Sequence, residues 1–278
     1  MSNHVAGKSI VITGAGSGFG KLVSERVAAL GAKVTCADVN LEAAEAVAAG
    51  IRAAKGEAKA FRVDVASIAE MRALAKSAVD SFGAIDVMVN NAGVMPLAFF
   101  SDHAQAIEAW HRCIDVNMKG VLNGMVAVYD QMMAQGRGHV INLSSIYGNY
   151  PVVGAAVYGA TKAAVNFLSE SLRVEARGRI KVTIVKPTGV PTTGLAGTVV
   201  NQGAALGILG QNMNEFMEMF AQIVEGKFPA EQLDPASIAY PSLAPEFIAD
   251  AIVHAIDQPW GVSIGDVTVR AAGDHFIL

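Results

Sequence analysis

Short runs rich in valine and isoleucine alternate with longer segments of helical periodicity along most of this chain. Such runs are typical of strands buried on both faces, and the periodic segments between them, "GKLVSERVAAL" for example, indicate crossover helices. The pattern predicts an α/β fold, with one doubly wound parallel sheet of about seven strands and helices on both faces. The predicted strands are "SIVIT", "AKVTCAD", "AKAFRVD", "IDVMVN", "GHVINLSS", "IKVTIVKP" and "GDVTVR".

The composition is that of a globular protein and argues against several other classes. Of the 278 residues, 52% are hydrophobic and 17% are charged, and the chain has no evident linker or repeat, so a single domain over residues 1–278 is predicted. The net charge of −4 comes without a block of like charges, which argues against a nucleic-acid partner. No apolar run reaches the roughly 18 residues that a membrane span needs, so no membrane partner is expected.

The cysteines and the N-terminus favour a cytoplasmic protein. Cys36 and Cys113 are the only cysteines, too few for a disulfide framework, and the first residues lack the pattern of a secretory signal peptide. The six histidines show no HExxH or comparable spacing, so no metal site is predicted.

One segment, residues 190–240, interrupts the alternation of strands and helices. It begins with a stretch rich in glycine and threonine and continues into "NMNEFMEMFAQIVEGKF", an amphipathic helix with an adaptable, methionine-rich apolar face. An insertion of this length usually serves as a lid over a binding site. An oligomer contact and a satellite core cluster are the alternatives.

The first strand-to-helix junction reads "TGAGSGFG", with glycines at 14, 18 and 20. Glycines at such a junction let the backbone turn tightly and let a pyrophosphate approach a helix N-terminus. Asp38 ends the second strand, 20 residues after Gly18, where a carboxylate can accept hydrogen bonds from an adenosine ribose and repel a 2′-phosphate. The predicted cofactor is therefore NAD rather than NADP. An ordinary tight loop and an N-cap role for Asp38 before Leu41 are the alternatives.

Tyr158 and Lys162 lie four residues apart in "VYGATKAAV", so on a helix they share one face. A free phenol has a pKa of about 10, and a nearby cation favours its ionised form. The pair can therefore be an acid–base device, or it can be an ordinary pair on a helix surface.

Taken together, these motifs resemble the classical short-chain dehydrogenases/reductases. "TGAGSGFG" is similar to their TGxxxGxG turn, "NNAG" at residues 90–93 to their next motif, and "YGATK" to their YxxxK pair. Ser145 precedes Tyr158 by 13 residues and matches the catalytic serine, while Asn117 in "DVNMKG" matches the catalytic asparagine. The resemblance spans residues 7–192 and implies a Rossmann-type fold. The cofactor-binding positions it implies are Gly14, Ser17, Gly18, Phe19, Gly20, Asp38, Asp64, Val65, Asn91, Ala92, Gly93, Tyr158, Lys162, Pro187, Val190 and Thr192.

One stretch departs from the family pattern. After the sixth strand the family usually shows PGxVxT, whereas this chain has "PTGVPT" at residues 187–192. Thr188 therefore stands where glycine is usual, and the backbone at this residue can follow a path that differs from the family's.

The resemblance also implies a mechanism, in which Tyr158 is the general acid and base for the alcohol proton. Lys162 and the positive nicotinamide would lower the phenol's pKa by about three units, roughly 4 kcal/mol. Ser145 would hold the substrate oxygen, and Asn117 would position a water molecule beside Lys162. Singly, Ser145 can also be an N-cap and Asn117 a buried polar group.

The substrate is expected to be a hydrophobic secondary alcohol or its ketone, because apolar residues surround the motifs. The predicted pocket consists of Val94, Tyr147, Tyr150, Met213 and Phe216. The family resemblance also implies a homo-oligomer, either a dimer or a tetramer. Two other functions stay open: a dinucleotide-binding scaffold or sensor without turnover, and an isomerase or lyase that uses a transient oxidation.

Overall fold

The computed structural model describes residues 3–190 and 194–276. Its seven strands form one parallel sheet in the order β3-β2-β1-β4-β5-β6-β7, which confirms the predicted sheet. The strands are β1 (Ser9–Thr13), β2 (Lys33–Asp38), β3 (Glu57–Arg62), β4 (Val87–Asn90), β5 (Gly138–Leu143), β6 (Ile180–Pro187) and β7 (Asp266–Val269).

Helices cover both faces of this sheet, as the alternation of runs predicts. Side chains alternate along each strand, so Ile10 and Ile12 pack under one helical layer while Val11 packs under the other. Helices α1, α2 and α8 form the first layer, and α3, α5 and α6 form the second. The helices are α1 (Gly18–Ala29), α2 (Leu41–Ala53), α3 (Ile68–Phe82), α4 (His103–Cys113), α5 (Gly120–Gln135), α6 (Ala156–Glu175), α7 (Met213–Val224) and α8 (Pro245–Ile256).

Local capping signals set the ends of α3. The Ser67 side chain accepts a hydrogen bond from the backbone N–H of Glu70, and Gly83 ends the helix in the left-handed region at φ 81°. These two local signals limit α3 to residues 68–82.

Helices α4 and α5 form one helical region with a single interruption. A π-helical segment, Ile114–Lys119, joins α4 to α5. Such segments widen a helix locally and often lie at functional sites. This one contains Asn117.

The insertion predicted at residues 190–240 consists, in its described part, of short 3₁₀ segments and α7, which confirms the amphipathic helix. The 3₁₀ segments are Gly194–Thr198, Gln202–Asn212 and Ala230–Leu233. Ala204 packs against Leu97 and Tyr158 in a small cluster, so the satellite-core alternative holds for that part.

The position of the site follows from the strand order. The chain runs outward from β1 to β3 and then returns to β4 on the other side of β1. The loops after β1 and β4 therefore diverge at the carboxyl ends of the strands, where open α/β sheets bind their ligands. Among the described residues, no helix is long and apolar enough to cross a membrane.

Candidate active site

A cavity of about 1140 Å³ opens at this switch point. One half is lined by the glycine-rich turn, the ends of β2 and β4, and the helix that carries Tyr158. The other half is lined by the insertion and by the last described residues of the chain. The lining includes most of the predicted site: Gly14, Ser17, Gly18, Phe19, Asp38, Asp64, Val65, Asn91, Ala92, Gly93, Val94, Ser145, Tyr147, Tyr158, Lys162, Pro187, Val190 and Phe216.

The glycine-rich turn is shaped by close backbone contacts. A Cβ atom on Gly20 would lie 2.2 Å from the Gly14 carbonyl oxygen, and Gly18 has φ +51°. Gly20 therefore lies beneath the turn rather than in the cavity lining. At the N-terminus of α1, Ser17 makes no side-chain capping hydrogen bond. This exposed helix N-terminus, framed by glycines, fits the pyrophosphate of a dinucleotide.

Asp38 is tied to that turn. Its Oδ2 accepts a hydrogen bond from the Gly16 N–H at 2.9 Å, and its Oδ1 accepts one from the Asn40 N–H at 2.9 Å. The N-cap of α2 is Asn40, whose side chain accepts from the Ala43 N–H. The N-cap alternative for Asp38 is therefore wrong, and the carboxylate faces the cavity.

Asp64 meets a partner that the sequence analysis missed. Arg112 donates to its Oδ2 at 3.1 Å, and both residues line the cavity. Burial acts to raise the pKa of Asp64, but hydrogen bonds from the Ala66 backbone and from Arg112 outweigh it, so this pKa is lowered. Asp64 is thus held as a carboxylate beside Val65. The spacing in the sequence carries no signal for this contact, since the partners are 48 residues apart.

The "NNAG" motif joins neighbouring strands. The Asn91 amide donates to the Thr13 carbonyl at 2.9 Å, and Asn90 donates to Asn142 Oδ1 at 2.8 Å. These bonds link β4 to β1 on one side and to β5 on the other. The cavity floor is therefore held by buried side-chain hydrogen bonds.

Tyr158, Lys162 and Ser145 are brought together and are nearly fully buried, with exposures of 4%, 5% and 6%. Lys162 Nζ donates to the Leu143 carbonyl at 2.8 Å and lies 5.7 Å from the centroid of the Tyr158 ring. Ser145 hydrogen-bonds to Tyr158, and its Oγ also accepts from the Tyr147 N–H at 3.2 Å. The helix-surface alternative for the Tyr158–Lys162 pair is therefore wrong, while Ser145 is both an N-cap and a neighbour of the phenol.

The electrostatics of this cluster are dominated by burial. Burial raises the pKa of Tyr158, and the hydrogen bond with Ser145 offsets only part of that rise. Burial also lowers the pKa of Lys162 from 10.5 to about 8. The expected lowering of the phenol's pKa depends on Lys162 together with a bound nicotinamide and stays a prediction, whereas desolvation of the phenolate dominates in this arrangement.

Asn117 lies behind the cluster and not in the cavity lining. Its Nδ2 donates to the Val94 carbonyl at 2.8 Å, and its Oδ1 accepts from the Val94 N–H at 2.9 Å. Thr161 connects it to α6, since Asn117 Nδ2 donates to Thr161 Oγ1 at 3.3 Å and that hydroxyl donates to the Tyr158 carbonyl. Asn117 therefore fixes the chain after "NNAG", while its water-positioning role stays a prediction.

Two predicted pocket residues need correction. Tyr150 is 64% exposed and lies outside the cavity lining, because the loop that carries it turns toward solvent. Met213 is also outside the lining, since α7 presents a different stripe to the cavity. Thr192 lies outside the described residues.

Phe216 was predicted, but the other residues of the α7 stripe that lines the cavity were not, although the helical spacing of the stripe is visible in the sequence. It runs from Phe216 through Met219 and Phe220 to Ile223. Further lining residues have no local signal at all. They are Leu195, Leu206, Leu209, Phe228, Leu233, Tyr240 and Phe276.

The short chain dehydrogenase family model matches residues 8–225 of this chain. The chain belongs to the short-chain dehydrogenase/reductase family. It is therefore an oxidoreductase of this family, and its Rossmann-type fold is the one that the motifs predict.

Relatives of this short-chain dehydrogenase/reductase are identical to it at 31–37% of the aligned residues. The 2,5-dichloro-2,5-cyclohexadiene-1,4-diol dehydrogenase LinX of Sphingobium indicum is 37% identical over 193 residues, which cover 69% of this chain and 76% of LinX. An uncharacterised oxidoreductase of Listeria monocytogenes is 33% identical over 268 residues, covering 95% of this chain and 96% of its own.

Solved structures match over nearly the whole chain. A metagenomic short-chain oxidoreductase in complex with NADP has a TM-score of 0.72 and 28% identity, covering 96% of this chain and 98% of that one. A short-chain dehydrogenase/reductase of Burkholderia phymatum in complex with NAD has a TM-score of 0.75 and 27% identity, covering 96% and 90%. These structures contain NADP in one case and NAD in the other.

Proposed function

We propose that this protein is an NAD-dependent oxidoreductase that interconverts a hydrophobic secondary alcohol and its ketone. The observation that carries the proposal is the buried cluster of Ser145, Tyr158 and Lys162, which lies in the same cavity as the glycine-rich turn. A catalytic acid and base for the alcohol proton and a dinucleotide cradle are the two parts that such a reaction needs.

The chemistry divides between cofactor and protein. A nicotinamide dinucleotide, when bound, supplies the group that accepts or donates hydride. Ser145 holds the substrate oxygen beside the phenol by a hydrogen bond. In oxidation the Tyr158 phenolate accepts the hydroxyl proton, and in reduction the phenol returns it. Because burial raises the phenol's pKa, ionisation of Tyr158 to the phenolate depends on positive charge in the cavity, to which the Lys162 ammonium contributes.

The preference for NAD rests on Asp38. Its carboxylate lies at the end of β2 and lines the cavity, and the residues that follow it, Val39 and Asn40, carry no positive charge. A ribose hydroxyl can donate to this carboxylate, whereas a 2′-phosphate would meet a like charge. The ratio of kcat/KM with NAD to kcat/KM with NADP tests the preference.

The half of the cavity that is lined by the insertion and the C-terminal segment, called the substrate half, is apolar. This supports a hydrophobic substrate. The charged residues of the described lining are Asp38, Asp64, Arg112 and Lys162, and none of them belongs to the insertion or to the C-terminal segment. A substrate with a carboxylate or phosphate would lose its hydration there without gaining a counter-ion. LinX is named for an uncharged cyclic diol as its substrate, which agrees with this class.

The proposed reaction is tested by following NADH absorbance with a panel of secondary alcohols and ketones, alongside the variant Tyr158→Phe. Turnover by the wild type that is lost in the variant supports the proposal. Binding of NAD without turnover of any panel member would favour the scaffold or sensor. Rearrangement of a substrate without net change in NADH would favour the isomerase or lyase.

The insertion is proposed to act as a lid over bound substrate. Its described part carries the apolar stripe of α7 and glycines that permit movement, so we expect slower hydrogen exchange over residues 213–224 once NAD and a ketone are bound. Helix α3, on the far layer of the sheet, serves as the internal control. Equal exchange of residues 213–224 in the free and ternary forms would contradict the lid.

We also propose a cytoplasmic homo-oligomer. Partly exposed apolar side chains on the π segment and α5 (Ile114, Met118, Leu122 and Val126) and on α6 (Phe167 and Val174) offer a face for a second copy. Both cysteines are free and buried, which agrees with a reducing compartment. Light scattering measures the assembly, and an Leu122→Lys variant that stays as large as the wild type would contradict this face.

A further inference from the structure

The C-terminal segment, residues 270–276, is folded back against the cavity. Phe276 belongs to the cavity lining, and its ring occupies the space beside Gly189, where a Cβ atom would lie 2.7 Å from the ring. Gly189 has φ +56°, so it is the residue after Thr188 that supplies the left-handed backbone here. The unusual Thr188 and the neighbouring glycine thus form one docking point for the chain end.

Asp274 is the anchor of this segment, and its side chain is only 3% exposed. Its Oδ2 accepts from Thr188 Oγ1 at 3.0 Å and from Arg270 Nε at 3.1 Å. Its Oδ1 accepts from Arg270 Nη2 at 2.6 Å and from the Phe276 N–H at 3.2 Å. A buried carboxylate with this many donors is held firmly, because removing any one donor leaves part of a desolvated charge without a hydrogen-bond partner.

The segment also contacts the insertion. His275 packs edge-on against Phe216 with 5.8 Å between ring centroids, and its carbonyl accepts from Asn212 Nδ2 at 2.9 Å. Phe216 and Phe276 both line the cavity. The C-terminal segment therefore joins Thr188, the residue that follows β6, to the first turn of α7.

We propose that residues 270–276 form a fixed wall of the substrate half, clamped by the Thr188–Asp274–Arg270 bonds, and that Phe276 limits the size of the ketone or alcohol. This inference rests on the proposed function, since it assigns the size limit of that same site. Phe276 is a specificity-determining residue, and Thr188 and Asp274 are positioning residues for it.

The size limit is tested with Phe276→Ala and a series of methyl ketones of rising chain length. Removing the ring frees cavity volume, so we expect kcat/KM for the longest ketone relative to the shortest to rise about tenfold, as for a few methylenes in an apolar pocket. Phe82→Ala is the matched control, because Phe82 is the last residue of α3 and lies outside the cavity lining. Equal changes for all ketones, or a ratio no different from the control, would overturn the assignment of Phe276.

The clamp is tested without turnover. Thr188→Val removes the hydroxyl that donates to Asp274 but keeps the side-chain shape, and Thr188→Ser keeps the hydroxyl. We expect hydrogen exchange of residues 271–276 to quicken about tenfold in Thr188→Val and to stay near wild type in Thr188→Ser, since a hydrogen bond to a charged group is worth about 1.5–3 kcal/mol. Unchanged exchange in Thr188→Val, or equal changes in both variants, would overturn the clamp.

A binding measurement separates this inference from the proposed reaction. Prodan, a polarity-sensitive naphthyl ketone, reports occupation of the apolar half by its fluorescence in the presence of NAD. We expect its Kd to change at least about threefold in Phe276→Ala and not in Phe82→Ala, even if no panel alcohol is turned over. Absence of turnover with a changed Kd would count against the proposed reaction alone, whereas an unchanged Kd would count against Phe276 as the wall.

Discussion

Replacing Tyr158 by phenylalanine separates the chemical role of the phenol from its packing role. The ring is buried and stands edge-on to Tyr147, with 5.6 Å between centroids, and phenylalanine keeps that contact. The variant loses the hydrogen bond with Ser145, whose Oγ still accepts from the Tyr147 N–H. The loss of one such bond costs about 1 kcal/mol, which is partly offset because no hydroxyl has to be desolvated.

The expected loss of activity is much larger than this loss of stability. A general acid and base contributes about 10² to 10⁴ in rate, which corresponds to roughly 3–5 kcal/mol of transition-state stabilisation. We therefore expect kcat to fall at least a hundredfold while Tm moves by only a few degrees. The dissociation constant for NADH, measured by its fluorescence, should stay within about threefold, because binding a preformed cradle does not need the phenol hydroxyl.

Tyr147→Phe is the matched control, since it deletes a hydroxyl from a neighbouring tyrosine of the same cavity. Burial raises the pKa of Tyr147 to about 12, and, unlike Tyr158, its ring has no lysine ammonium beside it among the described residues, so removal of its hydroxyl should alter kcat less than about tenfold. Two results would refute the reasoning: more than about a tenth of wild-type kcat in Tyr158→Phe, or an equal loss in Tyr147→Phe.

Three further predictions follow from single side chains. Asp38→Ala should narrow the ratio of kcat/KM for NAD over NADP, whereas equal values for the two cofactors in the wild type would already contradict the role of Asp38. Burial lowers the pKa of Lys162 to about 8, so above that pH the unfolded chain binds more protons than the folded chain. The free energy of unfolding should therefore rise by about 2–3 kcal/mol between pH 8 and pH 10.5. Urea titrations of Lys162→Met should lack this share of the rise. Burial lowers the pKa of His139 to about 3, so the free energy of unfolding should fall by about 2 kcal/mol from pH 7 to pH 5 as the imidazole of the unfolded chain takes up a proton. His139→Leu should reduce this fall. An unchanged fall in the variant would argue against a neutral buried His139.

The sheet and most helices could be predicted from the sequence because their signals are local. Buried strands read as continuous apolar runs, and α3 is delimited by Ser67 and Gly83, whose capping preferences act within one turn of the helix. The motif residues Ser145, Tyr158 and Lys162 could be identified by spacing and family resemblance for the same reason.

The sequence was less informative about which face of a helix meets the cavity. The amphipathic character of α7 is visible in its spacing, but which stripe meets the cavity depends on how the helix is rotated on the body of the protein. Met213 and Phe216 were both assigned to the pocket, but only Phe216 lines it, together with Met219 and Ile223. Tyr150 failed for a similar reason, since the direction of a loop is set by packing rather than by local preference.

By itself, then, the amino-acid order determined the alternation of elements, the family motifs and the chemistry available at each motif. Only the tertiary structure decided how deeply Tyr158 is buried, and therefore that its pKa is raised in this arrangement. It alone brought Asp274 to Thr188, which are 86 residues apart, and Arg112 to Asp64, which are 48 apart. Desolvation and contacts of this kind depend on which distant segments pack together, and no local pattern of residues encodes that packing.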